Sequence, residues 1–398
     1  MLLGDTGGLV IGVPLPSLSF EYLLENTVLP FGRMTQILGK EGSCKSGLAM
    51  DMVRWVVVQS GGVGCLFENE SKFSPDWALS IIGWEYEKML AVLPCRSMND
   101  WQKRLLKTTR ELQLAMDIKN GGMLYPVLMI VDSIMGKSLE ESQDRVTAAG
   151  FAGRDFAVEA ASITKFMRAY PHRILEWPFH LVCINHLRPK MDPHTKTVDR
   201  DRAGGRGKEF QETFELEVSR VKDLRTTKYD GLGLKIKCYK NSLGSSRRTI
   251  PVEVRWWREE IPCRDNDWLQ VTEWCWDAST VDMLASLVDS EKARVRDVID
   301  ISVSGNRGYS KRLGVKSSEP ISKAELGKMI HSDPVLMAEL RRALGIKVRD
   351  VFKPGVDYFV QRGVAKGQLA AAYKQEMSML VSSKTRNKKK DDNKKRAN

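Results

Sequence analysis

No run of roughly eighteen apolar residues occurs in the 398-residue chain, so none of it reads as a membrane span. The start, MLLGDTGGLVIGV, lacks a basic segment leading into an apolar one and does not read as a secretory signal. None of the seven cysteines forms a C-x-x-C pair. They are scattered through apolar runs such as HLVCINHL, which argues against a zinc site or a disulfide frame and for a reducing compartment. Internal repeats are missing too. These absences lead us to expect a cytoplasmic globular protein. Its composition, 42% hydrophobic and 28% charged, is ordinary, and its length suits one large domain with an attachment.

What the chain has in excess is positive charge, +12 net. Half of it lies in the last fifteen residues, KTRNKKKDDNKKRAN, with eight Lys or Arg against two Asp. Such a tail is expected to be disordered and fits a polyanion, nucleic acid first, the plainer alternative being a solubilising extension.

Between residues 33 and about 255, strand-like runs alternate with helical ones. RMTQIL, VGCLFEN, PVLMIVDS and HLVCINHL read as strands; SGLAMDMVRWVVVQS, DWQKRLLKTTRELQLAMDI and RDFAVEAASITKFMRAY read as helices. That alternation predicts a mainly parallel α/β sheet with helices on both faces. TFELEVSRV and GLGLKIKCYK alternate with period two and are expected to extend the sheet as antiparallel strands. From about 278 the pattern turns helical, with a capping box at Ser322 to Glu325. The expected organisation is an N-terminal oligomerisation segment (1–30), a core (31–260), a mainly helical C-terminal domain (261–380) and a basic tail (381–398).

The segment Gly39-Lys40-Glu41-Gly42-Ser43-Cys44-Lys45-Ser46 matches the phosphate-loop pattern G-x-x-x-x-G-K-[ST] except that Cys44 replaces the second glycine. Its setting of strand, loop and helix is the one in which backbone N–H groups converge on an anion. Asp132 ends an apolar strand, where a magnesium-associated carboxylate belongs. Glu68 and Glu70 follow another strand and offer a carboxylate to orient an attacking water. Asn185 and His186 end a third. All these groups fall at carboxyl ends of strands, the edge at which open parallel sheets bind ligands.

In the order and spacing of these motifs, Gly12 to about Val254 resembles the ATPase core of the RecA recombinases, most closely their divergent bacteriophage members. The resemblance rests on VPLPSLSFEYLLENTVLPFGRMTQILGKEGSCKS, CLFENESKFSPDW, LMIVDS, INHLR and AGGRGKEF. It implies ATP and Mg2+ as cofactors. Lys45 is then the phosphate lysine, Ser46 the magnesium hydroxyl and Asp132 the magnesium carboxylate. Glu70 is the glutamate that activates water, and Trp77 lies against adenine. His186 takes the position of a glutamine that senses the terminal phosphate. Lys240 reaches the neighbouring subunit's phosphates, although Ser242 stands where a second lysine is common. Cys44 adds a side chain where glycine lets the backbone approach phosphate, which is expected to spare binding and slow hydrolysis. A thiol at a helix N-terminus also raises the prospect of oxidation.

Two segments match the family's DNA-facing loops, GKSLEESQDRVTAAGFAGRD and RPKMDPHTKTVDRDRAGGRGK. In the second, Arg188, Lys190, Lys196, Arg200, Arg202, Arg206 and Lys208 would hold phosphates, and Gly204 and Gly205 suit a loop that orders on binding. The tryptophan-rich RWWREEIPCRDNDWLQVTEWCWD is too acidic for a base-stacking platform and reads as a packed strand pair. GGLVIGVPLP could add a strand to a neighbour's sheet. The resemblance therefore implies an ATP-dependent recombinase that forms filaments on single-stranded DNA and pairs it with homologous duplex. Its partners would be single- and double-stranded DNA, further copies of itself, and single-strand-binding and loader proteins. The alternatives are a non-hydrolysing, nucleotide-gated DNA-binding mediator and a motor such as a helicase on the same core.

Overall fold

The alternating runs assemble into one large sheet. The computed structural model describes residues 10–116, 124–134, 153–191, 198–202, 212–245, 247–260, 268–290 and 293–354. In chain order the strands are β1 (Ile11–Pro14), β2 (Val28–Pro30), β3 (Arg33–Gly39), β4 (Val63–Glu68), β5 (Leu90–Pro94), β6 (Val127–Asp132), β7 (Phe179–Met191) and β8 (Val198–Arg202). They continue as β9 (Phe214–Arg225), β10 (Asp230–Asn241), β11 (Thr249–Glu260) and β12 (Trp268–Trp274). The sheet order is β12-β11-β10-β9-β3-β7-β6-β4-β5, with β8 paired to the distal half of β7. From β5 to β9 the strands run parallel, and β10, β11 and β12 add an antiparallel extension.

Two expectations shift. FELEVSRV, read as antiparallel, lies parallel to β3, Thr35 opposite Phe214, and antiparallel only to β10 on its other side. GLGLKIKCYK is antiparallel as expected. The sheet also runs past residue 260. The tryptophan-rich segment forms the expected strand pair, β11–β12, and the helices begin at Trp276, close to the expected 278.

The helix Lys45–Ser60 is buried on almost every side, which explains why SGLAMDMVRWVVV carries apolar residues all round. It lies against the sheet on one side and against β1 on the other. Gly61, at φ 61°, ends it in the left-handed conformation that glycine adopts freely.

The two ends of the described chain close on each other. β1 is paired within its own chain, antiparallel to β2 and parallel to Asp350–Val351, so Ile11–Pro14 already has a partner on each side. Residues 1–9 lie outside the described part. Helix Leu18–Leu24 is clasped by the C-terminal module. Arg341 donates two 2.7 Å hydrogen bonds to the buried Glu21, and His331 accepts one from the Leu18 amide. Arg248 pairs with Glu25. The module is helices Trp276–Asp289, Lys323–Ser332 and Pro334–Leu344 with a small antiparallel sheet, and the expected capping box joins Ser322 and Glu325. The tail (381–398) lies outside the described residues.

Candidate nucleotide site

β3 delivers the loop. Beyond Gly39 the chain turns through Lys40, Glu41 and Gly42, all exposed, then through the buried Ser43 to Cys44, the N-cap of the helix that starts at Lys45. Gly39 is required by space: a Cβ there would meet the Ser43 Oγ at 2.3 Å and the Val218 carbonyl oxygen at 2.5 Å. Cys44 has φ 65° and ψ 30°. The glycine of the pattern is thus a conformational requirement as well as a steric one, since this left-handed region costs an L-residue about 1–2 kcal/mol. Burial pushes the Cys44 thiol up to about 12, so it stays protonated and the prospect of easy oxidation falls away.

Lys45 is buried and donates a 2.7 Å hydrogen bond to the Lys40 carbonyl, folding its ammonium over the loop. Burial lowers its pKa, while Asp132, Glu70 and Glu41 pull the other way. Ser46 follows with its hydroxyl donating 2.5 Å to Asp132 Oδ2. Burial pushes the Asp132 carboxyl up to about 6. This hydroxyl and carboxylate are hard oxygen donors of the kind magnesium takes. Among the described residues no group of three His, Cys, Asp or Glu could hold a metal ion.

Parallel register aligns the rest. Gly39 is opposite His186, and Glu68 is opposite Asp132. The structure then separates the two glutamates. Glu68 is buried and accepts hydrogen bonds from the backbone N–H groups of Glu70 and Lys72, a structural role. Glu70 reaches across to His186, with 2.8 Å between Oε1 and Nε2. The His186 hydrogen bond holds the Glu70 carboxyl down to about 2 against the effect of burial. Asn185 is buried, and its Oδ1 accepts from the His186 amide.

The other candidates are more dispersed. Trp77 is half-buried on helix Pro75–Ile82, which Ser74 caps and which packs on both the loop helix and β12. Lys240 lies on β10 opposite Glu215, partly exposed. The second basic segment begins as a hairpin rather than a loop. β7 and β8 place Arg188 opposite Asp201, Lys190 opposite Asp199, Arg200 opposite Pro189 and Arg202 opposite Leu187. Lys196, Gly204, Gly205, Arg206, Lys208 and residues 136–152 lie outside the described residues. Sequence reasoning did not find the Cys44 neighbours Gly47 and Trp274, for which the one available signal was a glycine early in a helix.

A parallel sheet with a phosphate loop after β3, a hydroxyl–carboxylate pair and a glutamate at the same edge defines a RecA-like ATPase core. No protein-family model matches the chain. Curated relatives do. It is 24% identical over 266 residues to protein RecA of Mycoplasma mobile, covering 64% of this chain and 71% of the relative. For protein RecA of Rhodopirellula baltica the figures are 25% over 246 residues, 60% and 58%. For that of Chloroherpeton thalassium they are 24% over 264 residues, 64% and 66%. The chain is distantly related to the RecA family. It spans between 58% and 71% of the length of these three relatives. Among the described residues no helix is long and apolar enough to cross a membrane.

Proposed function

We propose that the protein is an ATP-dependent DNA recombinase that assembles as a filament on single-stranded DNA and pairs that strand with homologous duplex. The observation that carries this reading is the convergence of Lys45, the Ser46–Asp132 pair and the Glu70–His186 pair at one edge of the sheet. Lys45 would stabilise charge on the transferring phosphoryl group, and the loop amides would cradle the other phosphates. Ser46 and Asp132 would hold magnesium, which supplies charge neutralisation at the phosphates. Glu70, whose carboxyl the His186 hydrogen bond holds well below the usual carboxylate range, would orient the attacking water rather than store a proton.

His186 is the link to DNA. It sits where β7 leaves the sheet and enters the β7–β8 hairpin, so its hydrogen bond to Glu70 ties the water-orienting group to the basic segment. Trp77 facing the adenine, Lys240 acting across a subunit boundary, and the basic residues of 188–208 with the tail holding phosphates complete the proposal. Strand exchange between circular single-stranded DNA and linear duplex tests it. Joint molecules should form with ATP and magnesium and disappear in Lys45→Ala; their absence in both would remove the recombinase reading.

A second reading has its own observation. Glu70 is already occupied by His186, and Cys44 strains the loop, both of which suit slow turnover. A nucleotide-gated DNA-binding mediator would then bind DNA more tightly with ATP and hydrolyse almost none.

A further inference from the structure

The glycine missing at 44 has a counterpart three residues on. Gly47 stands in the first turn of the loop helix, a position where glycine is intrinsically unfavourable. Space explains it. A Cβ at 47 would lie 2.5 Å from the Cys44 Sγ, 3.9 Å from the Cys44 Cβ and 3.5 Å from Cζ2 of Trp274. The thiol therefore fills the volume that a side chain at 47 would need. Trp274, buried and stacked on Trp276 at 5.4 Å, borders the same volume. The Trp276 indole in turn donates 2.7 Å to Asp51, on the loop helix itself, so this wall is anchored to the helix it supports.

We infer that Cys44 and Gly47 are a matched pair: the glycine at 47 lets the thiol fold back over the helix, keeping sulfur off the phosphate-facing side of the loop, with Trp274 as the backing wall. A Cβ at 47 would lie 2.5 Å from the sulfur, so the thiol would have to leave this position for another staggered rotamer. Gly47 and Trp274 are thus positioning residues for the loop. Their consequence for nucleotide binding rests on the reading of this loop given above, whereas the packing relationship does not.

A double-mutant cycle on the full chain tests the inference, using wild type, Cys44→Gly, Gly47→Ala and the double variant. Three readouts are taken: binding of the fluorescent analogue mant-ATP with magnesium, the urea midpoint without nucleotide, and labelling of Cys44 by a maleimide, located by peptide mass analysis. Gly47→Ala should weaken mant-ATP binding at least about tenfold, the scale of an overpacking clash, lower the urea midpoint and speed labelling of the half-buried Cys44. Adding Cys44→Gly should restore binding and midpoint to near those of Cys44→Gly alone. If Gly47→Ala costs the same in both backgrounds, or nothing in either, the matched pair is overturned. If no variant binds mant-ATP while the midpoint is rescued and labelling changes as expected, the pairing is upheld and the nucleotide reading of the loop is the part that fails.

Discussion

Glu70 and His186 are 116 positions apart in the chain and 2.8 Å apart in the fold. β4 and β7 bring them together from either side of β6, the strand that carries Asp132. One hydrogen bond thereby joins the group that would orient water to the strand that leads into the basic hairpin.

That bond predicts unequal effects of two substitutions at 186. His186→Gln keeps a neutral hydrogen-bond donor toward Glu70, and DNA-stimulated ATP turnover should stay within several-fold of wild type. His186→Ala removes the partner and should lower stimulation by about tenfold or more, the scale of one lost hydrogen bond to a charged group. Steady-state hydrolysis with saturating single-stranded DNA decides between these; equal loss in both variants would mean that the imidazole acts by something other than this hydrogen bond.

Asp51 is 1% exposed and accepts indole N–H groups from Trp55 at 2.8 Å and Trp276 at 2.7 Å. It joins the loop helix to the start of the C-terminal module. Asp51→Ala leaves two buried donors unpaired and should cost about 3 kcal/mol of stability. Urea unfolding measures this cost as a shift of the midpoint between wild type and variant.

His180 sets an acid limit on the fold. Its Nδ1 is 2.7 Å from the Pro30 carbonyl oxygen and its Nε2 is 2.9 Å from Thr35 Oγ1, within the core. Nδ1 therefore carries the proton and donates, while Nε2 accepts from the threonine hydroxyl. Burial pushes the pKa down from 6.5 to about 4. The unfolded chain thus binds a proton that the native state refuses between these values. The contribution is fully present above pH 6.5 and is lost as pH falls toward 4, about 3 kcal/mol in all. Asp51, raised from 3.8 to about 6, acts in the opposite sense, since its native state binds the proton first as pH falls. The difference in stability between wild type and His180→Gln, measured by urea unfolding at pH 7.5, 6 and 5, isolates the histidine: the wild type should lose ground to the variant as pH falls.

Arg341→Ala should open the clasp between the ends. Glu21 is left as a buried carboxylate without its bidentate partner, which costs about 3 kcal/mol or more. Hydrogen exchange should quicken in Leu18–Leu24 and Pro334–Leu344 together and leave β6 unchanged.

The parts legible in the sequence were those written locally. The loop is a contiguous motif, β6 is an unbroken apolar run ending in Asp132, and Ser322 to Glu325 is a four-residue cap signal. Pairings between distant segments were hidden. The direction of β9 against β3 is not written in FELEVSRV itself. The tryptophan-rich segment reads as a packed strand pair and forms β11–β12, but that the pair continues the large sheet past residue 260 has no local signature. The Glu21–Arg341 pair joins positions 320 apart and has no sequence signature. At Cys44 the sequence showed that a glycine was missing, while the backbone angle that makes glycine preferable, and the thiol's place over Gly47, appear only in three dimensions.

The proposed function requires this loop to bind and hydrolyse ATP in response to DNA. ATP turnover with and without single-stranded DNA, in wild type, Lys45→Ala and Glu70→Gln, tests it most directly. DNA should stimulate turnover, and both substitutions should abolish it. Turnover that persists in Lys45→Ala, or that ignores DNA altogether, would contradict it.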